Sequence, residues 1–382
     1  MVSVYTVSAE PSGDNLAVGL IRELRARRPY IAIQAIGGET VRQEGFQSAI
    51  DTSPLAVLGF VEGLRALPAV NRLADAAVAD ILAKAPDAVV LIDSWGFSIR
   101  VAQRLKTKGY SGIIVKYVAP QVWAMRRGRA KVLARHVDHL LALHPFDAPF
   151  FGAVGLPTEV VGNPTLDTDW AGGDGAAFRA RHGIAPDATV MMVAMGSRKS
   201  EIRRLHKVFN EAFVKLGFDL QPQRYIPRVM PVAPGMADFL EKTLWVSWVN
   251  YHRFKPEEMR DALAATDLAL LKSGTITLQA SDAGVPSVVA YKVSPLTYWA
   301  ARLLMKADYI SLVNVCAGRE LLPEFVQHEA TPDAISAALK HLIENPAARR
   351  ARGEELRAVT ASMRGEGGAS AKVAEAVLRL VS

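Results

Sequence analysis

Four turns and one basic run hold the side chains from which chemistry on an anionic ligand could be built. Ser8-Ala9-Glu10-Pro11-Ser12-Gly13-Asp14 reads as a strand end that opens a helix, placing a carboxylate (Glu10), a hydroxyl (Ser12) and free backbone N–H groups around Gly13 at one end of a sheet. An ordinary βα turn with Ser12 or Asp14 as helix cap fits the same residues. Leu91-Ile92-Asp93 puts a carboxylate at the carboxyl end of an apolar strand, where partial desolvation makes a usable base; a turn or N-cap role is equally open. Gly196-Ser197-Arg198 and Ser273-Gly274-Thr275 each follow a strand with small residues, a hydroxyl and, in the first, a guanidinium, equipment suited to a diphosphate. Downstream of Trp123 come Arg126, Arg127, Arg129, Lys131 and Arg135, five cations in ten residues without an acid. A solvated helix face explains such a run, and so does an anionic headgroup held beside an aromatic surface.

Several chemistries lack their residues. None of the eight histidines forms an H-x-x-x-H or H-E-x-x-H pair, and Cys316 is the single cysteine, so neither a catalytic metal nor a disulfide framework is expected. Neither G-x-G-x-x-G nor the P-loop pattern is present, and no G-x-S-x-G elbow. No cofactor is expected, nor a nucleic-acid partner, because no recognition motif accompanies the basic run.

Short β-branched runs alternate with amphipathic stretches, the pattern of parallel α/β folds. Strands are expected at Val2 to Ser8, Ile31 to Ile36, Ala88 to Ile92, Ile113 to Val118, His139 to Leu143 and Glu159 to Val161, then at Thr189 to Ala194, Tyr225 to Met230, Trp245 to Trp248, Leu268 to Leu271 and Ser287 to Ala290. Helices are expected over Asn15 to Arg28, Ala69 to Lys84, Ser200 to Lys215, Thr277 to Ala283 and most of the chain after Pro332. The 382 residues therefore divide into two Rossmann-like parallel-sheet domains facing across a cleft, 1–168 and 169–363, with a final helix over about 364–382 packing back on the first domain or on a partner. Half the chain is apolar, net charge is +7 and mean hydropathy is +0.13, yet no apolar stretch is long enough to span a bilayer. The amino terminus shows no leader pattern, so a cytoplasmic protein is expected.

Nine blocks in order carry a family resemblance. They are Glu10-Pro11-Ser12-Gly13-Asp14, Ile36-Gly37-Gly38 with Glu44-Gly45, Leu55-Ala56-Val57-Leu58-Gly59-Phe60-Val61-Glu62, Ile92-Asp93, Pro120-Gln121-Val122-Trp123-Ala124, Val161-Gly162-Asn163-Pro164, and Gly196-Ser197-Arg198-Lys199-Ser200-Glu201. Ser273-Gly274-Thr275 follows, then Asp308-Tyr309-Ile310-Ser311-Leu312-Val313-Asn314 with Ala317-Gly318-Arg319-Glu320. The set resembles the lipid-A-disaccharide synthases, inverting glycosyltransferases of GT-B fold. The resemblance implies transfer of 2,3-diacylglucosamine from UDP to 2,3-diacylglucosamine 1-phosphate at the cytoplasmic face of the inner membrane. It implies a homodimer through the carboxyl-terminal segment. By matching motif, Asp93 is the base, with Glu10 beside it as a second catalytic candidate; Ser12, Gly13, Gly196, Ser197, Arg198, Ser273, Gly274, Thr275, Gln279, Asn314 and Arg319 are assigned to the UDP-sugar. Phe60 and Leu64 in an apolar run, with Trp123, Arg126, Arg127 and Arg129, are assigned to lipid and membrane. Gly96 stands where the family commonly has a second carboxylate, Met195 where it has proline, and Gln279 where it has glutamate. These departures keep two rival readings: another GT-B enzyme of UDP-N-acetylglucosamine, and a non-catalytic lipid-binding paralogue.

Overall fold

The computed structural model describes residues 2–55, 67–124, 126–220, 225–233, 235–244, 250–294, 298 and 307–382. The chain divides into two compact units, one built from Met1–Asp167 with Arg364–Ser382, the other largely from Thr168–Leu303 and Ala307–Met363.

The first unit holds a six-stranded parallel sheet: β1 (Ser3–Val7), β2 (Ala32–Ile36), β3 (Ala88–Ile92), β4 (Ile113–Tyr117), β5 (His139–Ala142) and β6 (Thr158–Val160), in the order β2-β1-β3-β4-β5-β6. Every residue of β3 is wholly buried because helices cover both faces of the sheet, which is why Ala88-Val89-Val90-Leu91-Ile92 is a continuous apolar run with no alternation. Helix Pro11–Arg27 covers one face with Leu20, Ile21 and Leu24, and helices Leu67–Lys84 and Trp95–Thr107 cover the other with residues such as Ile81 and Val101. The last helix, Ala369–Leu380, packs on the first of these faces, burying Val373, Ala374, Ala376 and Val377 within its own chain. Its outward face carries Glu375 and Arg379, the latter paired with Glu159. The chain re-enters this unit through a close backbone crossing. Gly162 has φ +91°, and a Cβ there would lie 2.2 Å from the Gly365 nitrogen, so neither glycine has room for a side chain.

The second unit repeats the plan with β7 (Met191–Ala194), β8 (Arg228–Pro231), β9 (Tyr251–Phe254), β10 (Leu268–Lys272), β11 (Ser287–Tyr291) and β12 (Glu324–Val326), all parallel, in the order β12-β11-β10-β7-β8-β9. The strand expected at Trp245 to Trp248 falls outside the described residues; the strand observed in this region is Tyr251–Phe254. This sheet edge is less apolar than the centre, with His252 and Arg253 between buried Tyr251 and Phe254, and hydropathy alone passes over it. Glu324–Val326 escapes notice for the same reason, being a three-residue edge strand.

In both units two neighbouring central strands send the chain in opposite directions. β1 leads outward to β2 while β3 leads the other way to β4; β7 leads to β8 while β10 leads to β11. Ligands of open parallel sheets bind at the carboxyl ends of such strand pairs. The four turns singled out in the sequence are the turns after β1, β3, β7 and β10. Among the described residues no helix is long and apolar enough to cross a membrane.

Candidate functional site

In the first unit, neighbouring β1 and β3 bring two of the sequence's turns together. Ser12 Oγ donates to Asp93 Oδ2 at 3.3 Å, and a Cβ on buried Gly13 would lie 3.7 Å from the Asp93 Cβ. Neither Ser12 nor Asp14 caps the following helix, contrary to the capping alternative: Glu10 holds the N-cap position, Pro11 starts the helix, and no side chain bonds the first-turn amides. Asp14 is buried and accepts from Ser8 Oγ at 2.6 Å and the Gly38 amide at 2.9 Å, locking the turn after β1 to the turn after β2.

Asp93 is half-buried, with φ +49°, and Ser94 after it has φ +36°. Two successive residues in the left-handed region turn the chain sharply off β3 and carry the carboxylate into a pocket of about 300 Å³ lined by Asp93, Trp95, Lys116, Val118, Gln121 and Arg129 among others. The Asp93 main chain is fully committed. Its N–H donates to Tyr117 O at 3.0 Å, and its carbonyl accepts from Ser98 Oγ at 2.7 Å and Lys116 Nζ at 2.6 Å. The departure at Gly96 is not a steric demand, since a Cβ there would meet only Arg100 Nη1 at 3.9 Å.

The basic run splits. Arg129 lies 5.1 Å above the Trp95 ring, lines the Asp93 pocket and has its guanidinium pKa lowered by burial and by neighbouring Arg126. Arg126 and Arg127 are exposed, Arg127 over the Phe150 ring at 5.6 Å, near a T-shaped pair of Trp123 and Phe146. Beneath this surface, burial drives His144 down to about 4 and Asp147 up to about 7. Phe60 and Leu64 lie outside the described residues.

In the second unit β7 and β10 are hydrogen-bonded neighbours, so the turns that follow them open into one pocket of about 430 Å³. Gly196, Ser197, Arg198, Gly274, Thr275 and Gln279 all line it. Gly196 has φ +105°, and a Cβ would sit 2.2 Å from Glu201 Oε2; only glycine lets helix Lys199–Asp219 start so close behind the strand. Exposed Arg198 precedes the helix, whose amino-terminal amides and dipole favour an anion. Met195, Met230, Met236, Leu240 and Met259 supply the apolar wall.

Two groups in this pocket were not anticipated. Lys272, the last residue of β10, reaches Glu201 Oε1 at 3.1 Å and stacks its ammonium 5.3 Å from the Tyr291 ring. Their pairing neutralises both charges inside the pocket and leaves Arg198 as the other cation lining it. In the sequence, the lysine ending an apolar run, directly before Ser273-Gly274-Thr275, was the available signal.

Ser273 lies at the same turn without lining the pocket; its amide bonds Ala290 O at 3.4 Å. Asn314 and Arg319 lie elsewhere. Asn314 is wholly buried; its Oδ1 accepts from the Leu321 and Leu322 amides, and its Nδ2 donates to Leu322 O and Glu324 Oε1. All four of its hydrogen-bonding positions are filled by the chain, so it organises the loop and offers no bond to a nucleotide. Arg319 is exposed and paired with Glu355 at 3.0 Å. Among the described residues no group of three or more His, Cys, Asp or Glu side chains could hold a metal ion.

Two six-stranded parallel sheets of Rossmann type, each with a reversal of strand order at its centre, define the GT-B fold. The fold is shared with solved structures of UDP-GlcNAc 2-epimerase from Neisseria meningitidis (TM-score 0.62, 13% identity, 99% of this chain and 100% of that one) and Acinetobacter baumannii MurG (TM-score 0.64, 13% identity, 99% and 100%). A family model described as lipid-A-disaccharide synthetase matches residues 4–377. The chain is 38% identical to the lipid-A-disaccharide synthase of Rhodospirillum centenum over 99% of its length and 94% of the relative's. It is 39% identical to that of Paramagnetospirillum magneticum (91% and 89%) and 34% identical to that of Myxococcus xanthus (99% and 97%). The chain belongs to the lipid-A-disaccharide synthase family, glycosyltransferases of lipid A biosynthesis.

Proposed function

We propose that the protein transfers 2,3-diacylglucosamine from UDP to the 6-hydroxyl of 2,3-diacylglucosamine 1-phosphate, with inversion, releasing UDP. The observation that carries this reading is Asp93, a carboxylate projected into a pocket by a doubly kinked turn between the central strands of the first unit. The acceptor hydroxyl gives its proton to Asp93 as its oxygen attacks the anomeric carbon of the donor, and the bond from that carbon to the diphosphate breaks. Charge building on the departing UDP meets Arg198 and the amides that open helix Lys199–Asp219. Gln279 lines the same pocket, where its carboxamide can hydrogen-bond a ribose hydroxyl.

Purified protein should release UDP from UDP-2,3-diacylglucosamine only when the acylated sugar phosphate is present, and equally with EDTA. Rapid turnover of unacylated UDP-N-acetylglucosamine would favour a different GT-B enzyme, and no turnover of either donor would favour the lipid-binding paralogue.

We further propose that the enzyme works on the cytoplasmic face of the inner membrane, with Arg126 and Arg127 meeting anionic lipid beside Trp123. Arg129 faces the Asp93 pocket and belongs with the reaction, so the membrane test leaves it in place. Replacing Arg126 and Arg127 together by serine should weaken binding to anionic vesicles in sedimentation at low salt by about thirtyfold, at about 1 kcal/mol per cation near a charged surface. Unchanged sedimentation would make the two arginines a solvated face.

A further inference from the structure

Lys116 is the one charged residue in a strand that is otherwise Ile113-Ile114-Val115 and Tyr117, and it is only 2% exposed. A buried ammonium loses several kcal/mol of hydration and persists only where other groups replace the water. Here three backbone carbonyls do so: Asp93 at 2.6 Å, Tyr117 at 3.1 Å and Leu91 at 3.3 Å. All three protons of the ammonium have an acceptor, and all three acceptors belong to the carboxyl ends of β3 and β4.

Two of these carbonyls sit at strained backbone. Asp93 and Ser94 are both left-handed, and the Tyr117 carbonyl precedes Val118, whose φ of +76° is rare for a β-branched residue. Such conformations cost of order 1–3 kcal/mol each and survive where surrounding contacts over-determine them. Lys116 ties the two kinks to one another. The charged groups facing it are the carboxylates of Asp93 and Glu10, and Arg129 lines the same pocket. Burial pulls the lysine down to about 8 against the pull of both carboxylates, which leaves it cationic at neutral pH.

We propose that Lys116 is a positioning residue for the transfer reaction: its ammonium clamps the kinked ends of β3 and β4 and thereby holds the Asp93 carboxylate in place at the pocket. The inference rests on Asp93 being the base. A methionine has a similar volume but no donor for the three carbonyls, so it removes the clamp while roughly keeping the side chain's bulk.

The test compares Lys116→Met and Lys116→Gln with the parent and with Asp93→Asn, measuring UDP release from acylated donor and acceptor between about pH 5.5 and 8.5. Glutamine removes the charge yet keeps two N–H donors for the carbonyls, so K116Q carries the comparison if K116M does not fold. Expected are a kcat lower by roughly 30-fold at neutral pH, KM for both sugars within about threefold, and an acid limb of the kcat profile moved up by about one pH unit, the direction set by losing a cation beside a carboxylate. A folded K116M or K116Q with parental kcat overturns the proposal. So does a lowered kcat with the acid limb unmoved, which would make the lysine a packing element only. Parental turnover in D93N would instead remove the base assignment, an outcome read independently of the lysine variants.

Discussion

Asp93→Asn should lower kcat for UDP release by about a thousandfold while KM for donor and acceptor changes by less than about threefold. Removing a positioned general base typically costs 10²- to 10⁴-fold, and among the described residues no other carboxylate lines the Asp93 pocket. Asparagine is the informative replacement because the position is conformationally demanding. With φ +49° at residue 93, a residue that tolerates the left-handed region is needed, and asparagine is the best substitute after glycine. The main-chain bonds of residue 93 to Tyr117, Ser98 and Lys116 do not involve the carboxylate and should persist, so the loss reads the proton transfer and leaves the pocket's shape intact. Alanine would mix backbone strain with lost chemistry. The check is steady-state UDP release with both substrates varied, accompanied by a thermal melt. Turnover within tenfold of the parent in a folded D93N would take the base role away from Asp93.

Much of the scaffold was readable from residue order because central parallel strands buried on both faces leave an unmistakable mark. Ala88–Ile92 is a solid apolar run that ends abruptly in Asp93, and Leu268-Ala269-Leu270-Leu271 is another that ends in Lys272 and Ser273. The turns that follow such strands were therefore legible as candidate ligand turns. Which turns act together was not legible, because that follows from strand order: β1 beside β3 and β7 beside β10 are long-range pairings across 80 or so residues of intervening chain, with no local trace. The same limit applies to Asn314. A polar residue in a functional loop looks like a ligand contact until its four bonds to Leu321, Leu322 and Glu324 are seen. Lys116 shows another limit: residue order places a cation inside an apolar strand, and only the packing shows it as a fully bonded ion. The basic run after Trp123 was legible as a cluster but not as two groups, since only the packing of Arg129 over Trp95 separates it from Arg126 and Arg127.

Arg198→Ala should weaken UDP binding by about tenfold and lower kcat by roughly a hundredfold, the larger effect falling on turnover because charge on the diphosphate grows as the glycosidic bond breaks. Arg198 is exposed at the start of helix Lys199–Asp219, and its amide is held by Glu201 Oε2 at 3.4 Å whatever its side chain, so the melting temperature should hardly change. The other cation in the pocket cannot take over. Lys272 is paired with Glu201 at 3.1 Å, and both lie mostly out of solvent, so moving the lysine to the diphosphate would strand a buried carboxylate. Arg198→Lys should recover only part of the loss, since a point charge restores attraction without the planar two-pronged bond to phosphate oxygens. Calorimetry with UDP separates the binding term, and single-turnover kinetics with the acylated donor separates the chemical one. If R198A binds UDP and turns over like the parent, the diphosphate is held by the turn amides of Gly196–Arg198 and Gly274–Thr275 alone, and the guanidinium has no part in leaving-group departure.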